Sequence, residues 1–428
     1  MKVKNLIIGA GVTGLSAAYH LQKLGKKDFA VLERAAEPGG VCASVTHKNF
    51  TFDYGGHVAH ARRAYTRELL KKLLGKNAAL IKRKAWVYLQ NTFVPFPFQA
   101  NLSYLKPEIV EECVTALVAA RKHKKHIFEN FADFALSSYG EGIYKYFMRP
   151  YNEKLWRAKA EDLSCVWCAD FVPQTDMEDI VKGAYFKTRA SYGYNTDFIY
   201  PKTGGIGALA RALAAETENI FYNTEVKKID AVKKMVFTNK GIFEYENLIN
   251  TSPLKTFVSA CGGLEKNIYE AAKELKNNKV YVLNLGVNRA VENISWVYFP
   301  EDKFKFYRAG VQSGFSPSVA PEGCGAPYVE ISAAGNSKKP DFKKLEKEIT
   351  AALKDAGILK NEDKILAALW LEINPAYVTY DARREIVVPQ IIAALKEKNI
   401  YGVGRYGAWE YSFMEKNILD AKELAQKL

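Results

Sequence analysis

The fold of this chain is decided by its opening stretch, Leu6-Ile7-Ile8-Gly9-Ala10-Gly11-Val12-Thr13-Gly14. An apolar run typical of a strand ends at Gly9, and the pattern G-x-G-x-x-G leads into residues 15–24, where apolar side chains recur at helical spacing. Gly9 permits a tight turn, Gly11 leaves room for a pyrophosphate, and Gly14 lets helix and strand pack closely. The phosphates would lie against free N–H groups at the helix N-terminus. The pattern therefore predicts a dinucleotide-binding βαβ unit.

The residues after the second strand indicate which dinucleotide is bound. The apolar run Phe29 to Leu32 ends in Glu33, at the distance expected for an acid that binds a ribose hydroxyl. Arg34 follows, and then the pair Gly39-Gly40, which lets the backbone pass close to a second part of a cofactor. A nicotinamide dehydrogenase would normally continue into its next βαβ unit here.

Instead, a short alternating strand from Phe50 leads into the glycine pair of Gly55-Gly56-His57. Each glycine pair alone would suit an ordinary turn, but both together at this spacing favour FAD. The arrangement resembles the large group of FAD proteins that includes amine oxidases, protoporphyrinogen oxidase, phytoene desaturases and UDP-galactopyranose mutases. The resemblance implies a Rossmann-like FAD-binding domain.

Length and composition exclude several classes. A chain of 428 residues can form two or three domains, and it has no apolar segment of about 18 uncharged residues that would span a membrane. A strand begins almost at the first residue, so we expect no signal peptide. Six scattered cysteines suit a reducing cytoplasm, and the single C-x-x-C, Cys165 to Cys168, lacks the second pair that zinc would require. We expect a cytoplasmic protein without a metal.

The net charge of +14 raises the possibility of a nucleic-acid partner. However, the lysines are spread over predicted helices, as in segments 122–125 and 338–347, and such runs are usually solvated faces. No zinc finger, RNP-type strand or helix-turn-helix pattern is visible. We therefore expect no nucleic-acid partner, and an anionic substrate would account for part of the charge.

Hydrophobic periodicity along the chain predicts an α/β architecture with three parts. Helical spacing from Lys106 to Arg157 indicates a helical insert. Strand-like segments predominate from Val280 to Val388, interrupted by one helix at residues 343–356, and predict a second, mostly antiparallel sheet. A closing strand, glycine turn and helix at 400–428 return to the cofactor. The predicted division is a discontinuous FAD-binding domain (1–65, 204–255 and 390–428), a helical insert domain (100–190) and an antiparallel-sheet substrate domain (66–99, 191–203 and 256–389).

Four further segments, in order over most of the chain, resemble UDP-galactopyranose mutases, most closely those of the eukaryotic type. They are Val94-Pro95-Phe96-Pro97-Phe98-Gln99, Phe147-Met148-Arg149-Pro150-Tyr151-Asn152-Glu153-Lys154-Leu155-Trp156, Trp296-Val297-Tyr298-Phe299-Pro300 with Tyr307-Arg308, and Gly404-Arg405-Tyr406-Gly407-Ala408-Trp409-Glu410-Tyr411-Ser412-Phe413-Met414. The second segment is far more specific than a glycine motif.

The resemblance implies a non-redox use of flavin. Reduced FAD attacks the anomeric carbon of a nucleotide sugar such as UDP-galactopyranose through its N5 atom and displaces the nucleoside diphosphate. The flavin–sugar adduct opens, recloses with the other ring size, and the diphosphate returns, giving the galactofuranose form used in cell-surface polysaccharides. NAD(P)H or another reductant would keep the flavin reduced. The oligomeric state and the identities of sugar and base stay open.

The resemblance also implies roles for individual residues. His57, beside the flavin, and Arg308, on the leaving phosphates, are the predicted catalytic residues. The predicted substrate-binding residues are Phe98, Gln99, Phe147, Asn152, Trp156, Asn195, Trp296, Tyr298, Tyr377 and Tyr411. The predicted cofactor-binding residues are Gly9, Gly11, Gly14, Glu33, Arg34, Gly39, Gly40, Gly56, Val226, Gly404, Arg405, Ser412 and Met414.

The chain departs from the family pattern at several positions, and other functions stay open. Phe171 stands where eukaryotic-type members carry an arginine that helps to bind diphosphate, and Phe96 and Phe315 stand where tyrosine is usual. Each tyrosine could be an ordinary core residue in a chain with 25 of them, and Arg149 could be structural. The alternatives are an FAD-dependent oxidoreductase of the amine oxidase or desaturase type, and a flavoprotein that senses redox state through His57 without catalysis.

Overall fold

The computed structural model of the protein describes residues 1–122, 126–188 and 196–428. An eight-stranded sheet, here called the first sheet, carries the glycine-rich opening of the chain. Its parallel centre pairs Lys2–Ile8 with Phe29–Leu32 on one side and Gly241–Asn250 on the other. The remaining strands are Ile220–Phe221, Val226–Asp230, Met235–Thr238, Cys261–Gly262 and Ile400–Gly402. This parallel centre confirms the predicted Rossmann-like unit.

The central strands are apolar because helices cover the sheet. Phe29–Leu32 is buried along its whole length, and Lys2–Ile8 is buried from Asn5 onward. Helix Val12–Lys23 follows the first strand directly and packs against the closing helix Met414–Lys427. The antiparallel hairpin of Val226–Asp230 and Met235–Thr238 is an excursion between parallel strands, and a second antiparallel turn at Gly241 leads from it into Gly241–Asn250.

A seven-stranded, mostly antiparallel sheet, here called the second sheet, forms the other half of the molecule. Adjacent strands in this sheet are antiparallel, except for Trp296–Tyr298 and Ala85–Leu89, which pair in parallel. From one edge to the other, its strands are Ile365–Ile373, Asn278–Val287, Pro327–Ala334, Arg308–Val311, Trp296–Tyr298, Ala85–Leu89 and Thr92–Pro95. Two small two-stranded antiparallel sheets pair Ser44–His47 with Phe50–Asp53, as a hairpin, and Ala78–Lys82 with the distant strand Asp197–Pro201. The predicted second sheet is confirmed.

The helical part of the chain confirms the helical pattern predicted from Lys106 onward. Helices Pro107–Arg121 and Phe131–Ile143 are followed by a π-helical turn, Tyr144–Met148, which leads into helix Arg149–Trp156. The other helices are Ala64–Leu74, Cys168–Phe171, Met177–Tyr185, Gly207–Ala215, Leu254–Ala260, Lys266–Glu274, Phe342–Asp355, Ala382–Lys396 and Gly404–Gly407. None of the helices within the described ranges has the length and apolarity needed to cross a membrane.

One expectation about this architecture is wrong. The segment up to Val388 was predicted as strand-like with a single helix at 343–356, yet Ala382–Lys396 forms a helix that contains Pro389. The side chain of Asp381 caps this helix by accepting a hydrogen bond from the Arg384 N–H at 2.8 Å. A proline inside a helix removes one backbone hydrogen bond, so a proline in a sequence is normally taken as evidence against a helix. Pro389 therefore argued against the helix that the structure has. The predicted domain boundaries stay a prediction.

Asp53 joins the two halves through a buried carboxylate. It accepts hydrogen bonds from the hydroxyls of Ser44 and Tyr200, both at 2.6 Å, and from the Ile206 N–H at 3.2 Å. Gln312, from the second-sheet half, donates to the Tyr200 hydroxyl at 2.8 Å and accepts from the Asp53 N–H at 3.2 Å. Burial raises the pKa of Asp53 to about 6, and the hydroxyl and amide donors moderate that rise.

Asp53→Asn is expected to lower the free energy of unfolding by about 1–3 kcal/mol at pH 4, because the carboxamide NH₂ faces donors. Since the folded pKa is raised from 3.8 to about 6, the wild-type carboxyl contributes most stability at low pH and loses it as pH rises. The loss is up to about 3 kcal/mol. The deficit of the variant should therefore shrink between pH 4 and pH 7 in urea unfolding. A deficit that does not change with pH would contradict this, and Asp355→Asn, at an exposed carboxylate, is the control.

Candidate active site

The glycine-rich turn has the geometry that a pyrophosphate requires. Gly9 has φ of 101°, which glycine adopts readily, and a Cβ on Gly14 would run into the Gly9 carbonyl oxygen. A Cβ on Gly11 would meet only the Gly39 carbonyl oxygen, at 3.8 Å. Helix Val12–Lys23 starts after Gly11 without a side-chain cap and without an acidic residue in its first turn. Its first N–H groups are therefore available to an anion.

Glu33 lies at the end of the neighbouring strand, beside this turn. Its buried carboxylate accepts hydrogen bonds from the Ala10 N–H at 2.7 Å and the Ala35 N–H at 2.8 Å. Each carboxylate oxygen has a second acceptor position, so a ribose hydroxyl can still donate to it. Among the other predicted cofactor residues, Gly39 and Gly40 have φ of 136° and 56°, Arg34 is exposed, and Val226 is half-buried at the start of its strand.

The closing turn brings the end of the chain to the same place. Gly404 has φ of 74°, and a Cβ there would strike the side chain of Thr13, in the first turn of the dinucleotide-binding helix. Arg405 donates hydrogen bonds to the carbonyl oxygens of Ala376, at 2.7 and 3.2 Å, and Ser412, at 3.1 Å. The Ser412 hydroxyl donates to Asn417 at 2.7 Å, and Met414 is buried at the start of the closing helix.

A cavity of about 140 Å³ lies beside this turn, between the second sheet and helix Arg149–Trp156. Most of the predicted substrate residues line it: Gln99, Phe147, Asn152, Trp156, Trp296, Tyr298, Tyr377 and Tyr411. Arg308 and Gly56 also line it. Phe98 lies one layer behind, fully buried, with its ring stacked on Phe147 at 5.2 Å between centroids. Asn195 lies outside the described residues.

Arg308 is held by a buried ion pair. Its Nη2 atom lies 2.7 and 2.8 Å from the two oxygens of Glu330, and its Nε atom lies 3.1 Å from one of them. The Glu330 carboxylate also accepts hydrogen bonds from the Tyr307 hydroxyl and from the Gly56 N–H, the latter at 2.9 Å. Burial alone would raise the pKa of Glu330, but Arg308 and these donors lower it below its usual value. The pair is therefore charged at neutral pH.

His57 follows Gly56 on the loop that reaches the cavity. Burial lowers its pKa to about 4; the charge of Glu330 opposes this shift, while Arg405 and Arg308 add to it. Its Nδ1 atom is buried and has no hydrogen-bond partner among the described residues. At neutral pH this imidazole is uncharged, and it can serve as a hydrogen-bond donor or acceptor but not as a cation.

Several cavity residues were not predicted as site residues. Tyr151, inside the most specific motif, lines the cavity, and so do Val58, His60, Phe96, Met148, Leu155, Trp167, Phe171, Val172 and Pro173. Helical spacing from Phe147 could have indicated Tyr151, which lies four residues, or about one turn, further along the chain. Glu330 was also missed, although an acid in the apolar strand Pro327–Ala334 is a detectable signal. No group of three His, Cys, Asp or Glu residues suited to a metal occurs in the described ranges.

Known proteins share both the glycine-rich turn and the overall fold of this chain. Residues 7–73 match the model of an NAD(P)-binding Rossmann-like domain. A crystal structure of reduced UDP-galactopyranose mutase superposes over 100% of this chain and 93% of its own, with a TM-score of 0.94 and 28% identity. This chain has the fold of UDP-galactopyranose mutase. The resemblance stated from the motifs is thereby confirmed, within the superfamily of FAD-dependent oxidoreductases.

More distant structures share the fold alone. A protein from Exiguobacterium sp. 255-15, provisionally assigned as a protoporphyrinogen oxidase, aligns over 99% of this chain and 98% of its own with a TM-score of 0.77 and 15% identity. A putrescine oxidase aligns over 100% and 99% with a TM-score of 0.69 and 13% identity. The curated relative "inactive all-trans-retinol 13,14-reductase" of Danio rerio is 48% identical over 50 residues, which span 12% of this chain and 8% of that protein.

Gly11→Val is expected to abolish flavin binding, because the added methyl groups would occupy the space above the helix N-terminus that a pyrophosphate needs. Gly11→Ala is the matched control, since its Cβ meets only the Gly39 carbonyl at 3.8 Å. The visible absorption spectrum of each purified protein gives the flavin content, and thermal melts of the cofactor-free forms check folding. Full flavin content in the valine variant would contradict the assignment of this turn.

Proposed function

We propose that this protein is a flavin-dependent mutase that interconverts the pyranose and furanose forms of a nucleotide sugar. The observation that carries the proposal is Arg308, a guanidinium that lines the cavity and is fixed by Glu330 and, through Glu330, by the Gly56 N–H. The arrangement gives an aromatic cavity a guanidinium that can bind an anion. The full-length structural likeness to a UDP-galactopyranose mutase supports the same function.

The residues at the turn fit FAD as the resident cofactor. The uncapped start of helix Val12–Lys23 and the open side of Gly11 suit the pyrophosphate, and Glu33 suits a ribose. The closing segment around Gly404 touches the same helix and would lie near the isoalloxazine. Bound and reduced, the cofactor supplies a nitrogen nucleophile for the anomeric carbon of the sugar.

The cavity residues have two tasks in such a reaction. Arg308, through the part of its guanidinium not bonded to Glu330, binds the departing phosphate and keeps it close for its return. The hydroxyls of Tyr298, Tyr377 and Tyr411 can donate further hydrogen bonds to phosphate oxygens. Trp156 and Phe147 form aromatic walls that exclude water, which would otherwise capture the sugar while the nucleotide is detached.

The second candidate is a true flavin oxidoreductase. The putrescine oxidase fold favours it, as do the many aromatic side chains in the cavity, which would also suit an apolar substrate. Such an enzyme would consume oxygen or another acceptor in proportion to its substrate. A guanidinium such as that of Arg308 would repel a protonated amine and would gain nothing from a hydrocarbon. The mutase is therefore the better-supported proposal.

The deciding experiment starts with the spectrum of the purified holoprotein and a thermal-shift screen of nucleotide sugars. Each stabilising compound is then incubated with protein reduced by dithionite or NAD(P)H, and pyranose and furanose forms are separated by chromatography. We expect conversion only with reduced protein and without net oxygen consumption. Equal turnover with permanently oxidised protein, or oxygen uptake stoichiometric with product, would contradict the mutase and favour the oxidoreductase.

Arg308→Ala is expected to raise KM for the nucleotide sugar by about 10- to 100-fold, the loss of a charge-assisted contact of about 1.5–3 kcal/mol. The matched control is Arg289→Ala, which breaks a similar two-pronged pair with Asp363, with Nε–Oδ1 of 2.6 Å and Nη2–Oδ2 of 2.9 Å, away from the cavity. KM and kcat of both variants are measured by steady-state kinetics, normalised to flavin content, and compared with those of the wild type. Loss of flavin from Arg308→Ala with unchanged KM in the remaining holoenzyme would make this arginine a structural anchor instead.

A further inference from the structure

One buried asparagine, Asn278, connects two separate parts of the cavity lining. It begins strand Asn278–Val287 of the second sheet, and its side chain is buried, with the residue 1% exposed. Its Nδ2 atom donates a hydrogen bond to the Leu155 carbonyl oxygen at 2.6 Å, and its Oδ1 atom accepts one from the Tyr377 N–H at 2.8 Å. Leu155 and Tyr377 both line the cavity. The side chain of Asn278 therefore joins helix Arg149–Trp156 to the segment that carries Tyr377.

The Leu155 carbonyl lies in the last turn of helix Arg149–Trp156, where backbone carbonyls have no partner within the helix. The Ser332 hydroxyl donates a second hydrogen bond to the same oxygen at 2.8 Å, and this hydroxyl accepts one from Nδ2 of Asn278 at 2.9 Å. A buried carbonyl without such donors is unfavourable. These two side chains therefore hold the end of the helix, and with it Trp156, against the second sheet.

The backbone of Asn278 fixes the segment that carries Tyr377. Its N–H donates to the Tyr377 carbonyl oxygen, and its own carbonyl oxygen accepts from the Ala376 N–H, both at 3.0 Å. Arg405 donates to the Ala376 carbonyl oxygen at 2.7 Å. The rings of Trp156 and Tyr377 meet edge-on, with centroids 5.6 Å apart. The spacing between these two rings is thus set through Asn278.

A carboxamide suits this position because it must donate on one side and accept on the other. Asn278 faces the Leu155 carbonyl with its NH₂ group and the Tyr377 N–H with its oxygen. A carboxylate of the same shape keeps the acceptor for Tyr377 but turns a second oxygen toward the Leu155 carbonyl. Protonation of that carboxylate restores one donor, and burial favours the protonated form.

We propose that Asn278 is a positioning residue that keeps water from the sugar, because it holds Trp156 and Tyr377 in contact. The inference rests on the proposed function, since it concerns the interval in which the nucleotide is detached. With the aromatic walls closed, the phosphate recaptures the sugar.

Entry of water would give a side reaction that can be measured. In that reaction the anomeric C–O bond to phosphate is broken, a C–O bond to the water oxygen is formed, and one proton of the water passes to solvent. The nucleotide sugar and one water thus give the free sugar and the nucleoside diphosphate, without net oxidation or reduction.

The test measures how often a turnover ends in free sugar. Reduced holoprotein is incubated with the nucleotide sugar that it converts, and the furanose form, the free sugar and the nucleoside diphosphate are separated by chromatography. We expect Asn278→Asp to raise the ratio of free sugar to furanose form at least about tenfold at high pH. The excess should shrink from about pH 8.5 to about pH 6, as the carboxyl gains a proton that can be donated to Leu155. Lower stability alone does not change this ratio, because both products come from the same folded enzyme.

Two further variants and one measurement on the resting protein accompany this test. Asn284→Asp is the matched control: Asn284 is buried in the same strand, and its amide has no hydrogen-bond partner among the described residues. Its ratio should equal that of the wild type at every pH. Ser332→Ala removes the other donor to Leu155 and should raise the ratio about two- to fivefold without pH dependence. Hydrogen exchange of the resting holoprotein should become faster in residues 149–157 and 374–380 of Asn278→Asp, and not in those of Asn284→Asp.

The outcomes separate this inference from the proposed function. A wild-type ratio in Asn278→Asp at every pH, or unchanged exchange in both segments, would overturn the inference and leave the mutase proposal standing. An equal rise in Asn284→Asp would also overturn it, because any buried carboxyl in the strand would then suffice. If Asn278→Asp does not fold, a wild-type ratio in Ser332→Ala overturns the inference. Absence of the furanose form from wild-type protein with every nucleotide sugar that binds would overturn both proposals.

Discussion

The cavity depends on one carboxylate, Glu330, which holds together parts of the chain that are far apart in sequence. Arg308 and Tyr307 reach it from the neighbouring strand, and the Gly56 N–H reaches it from the loop of the first hairpin. A Cβ on Gly55 would lie 2.5 Å from one of its oxygens, so only glycine allows this loop to approach. Removal of one partner from such a buried pair typically costs about 3–5 kcal/mol. The second sheet and the cofactor-side loop are thereby fixed relative to each other.

This fixed charge pair lies in otherwise neutral, aromatic surroundings. His57 and His60 are uncharged at neutral pH because both are buried, and burial raises the pKa of Tyr151 and Tyr298 above its usual value. Electrostatic contacts in such an enclosed space are stronger than in water, so a single guanidinium can hold a leaving group effectively. The aromatic walls and the charge pair are therefore complementary: one excludes water and the other retains the anion.

The local features of the fold could be predicted from sequence, since they depend on neighbours in the chain. The glycine turn, the strand at Phe29–Leu32 and the helix near residues 343–356 all appear close to where their patterns indicate. The motif segments also led to most residues of the cavity. Features that depend on distant partners could not be found in this way. The stacking of Phe171 on Tyr411 joins residues 240 positions apart, and no sequence pattern indicates it. The hydrogen bonds of Asp53 with Tyr200 and Gln312 likewise join distant parts of the chain and become apparent only in the structure.

The π-helical turn Tyr144–Met148 has a consequence for how the cavity is maintained. A π turn contains one residue more than an α turn, and each residue rotates a helix by about 100°. Helix Arg149–Trp156 presents Asn152 and Trp156 to the cavity and Arg149 and Glu153 to an outer groove. Loss of that extra residue would rotate the following helix by about 100°, so that Asn152 and Trp156 would no longer face the cavity squarely. A single-residue deletion at Tyr144–Tyr146 would thus displace this wall although the sequence of Arg149–Trp156 stayed the same.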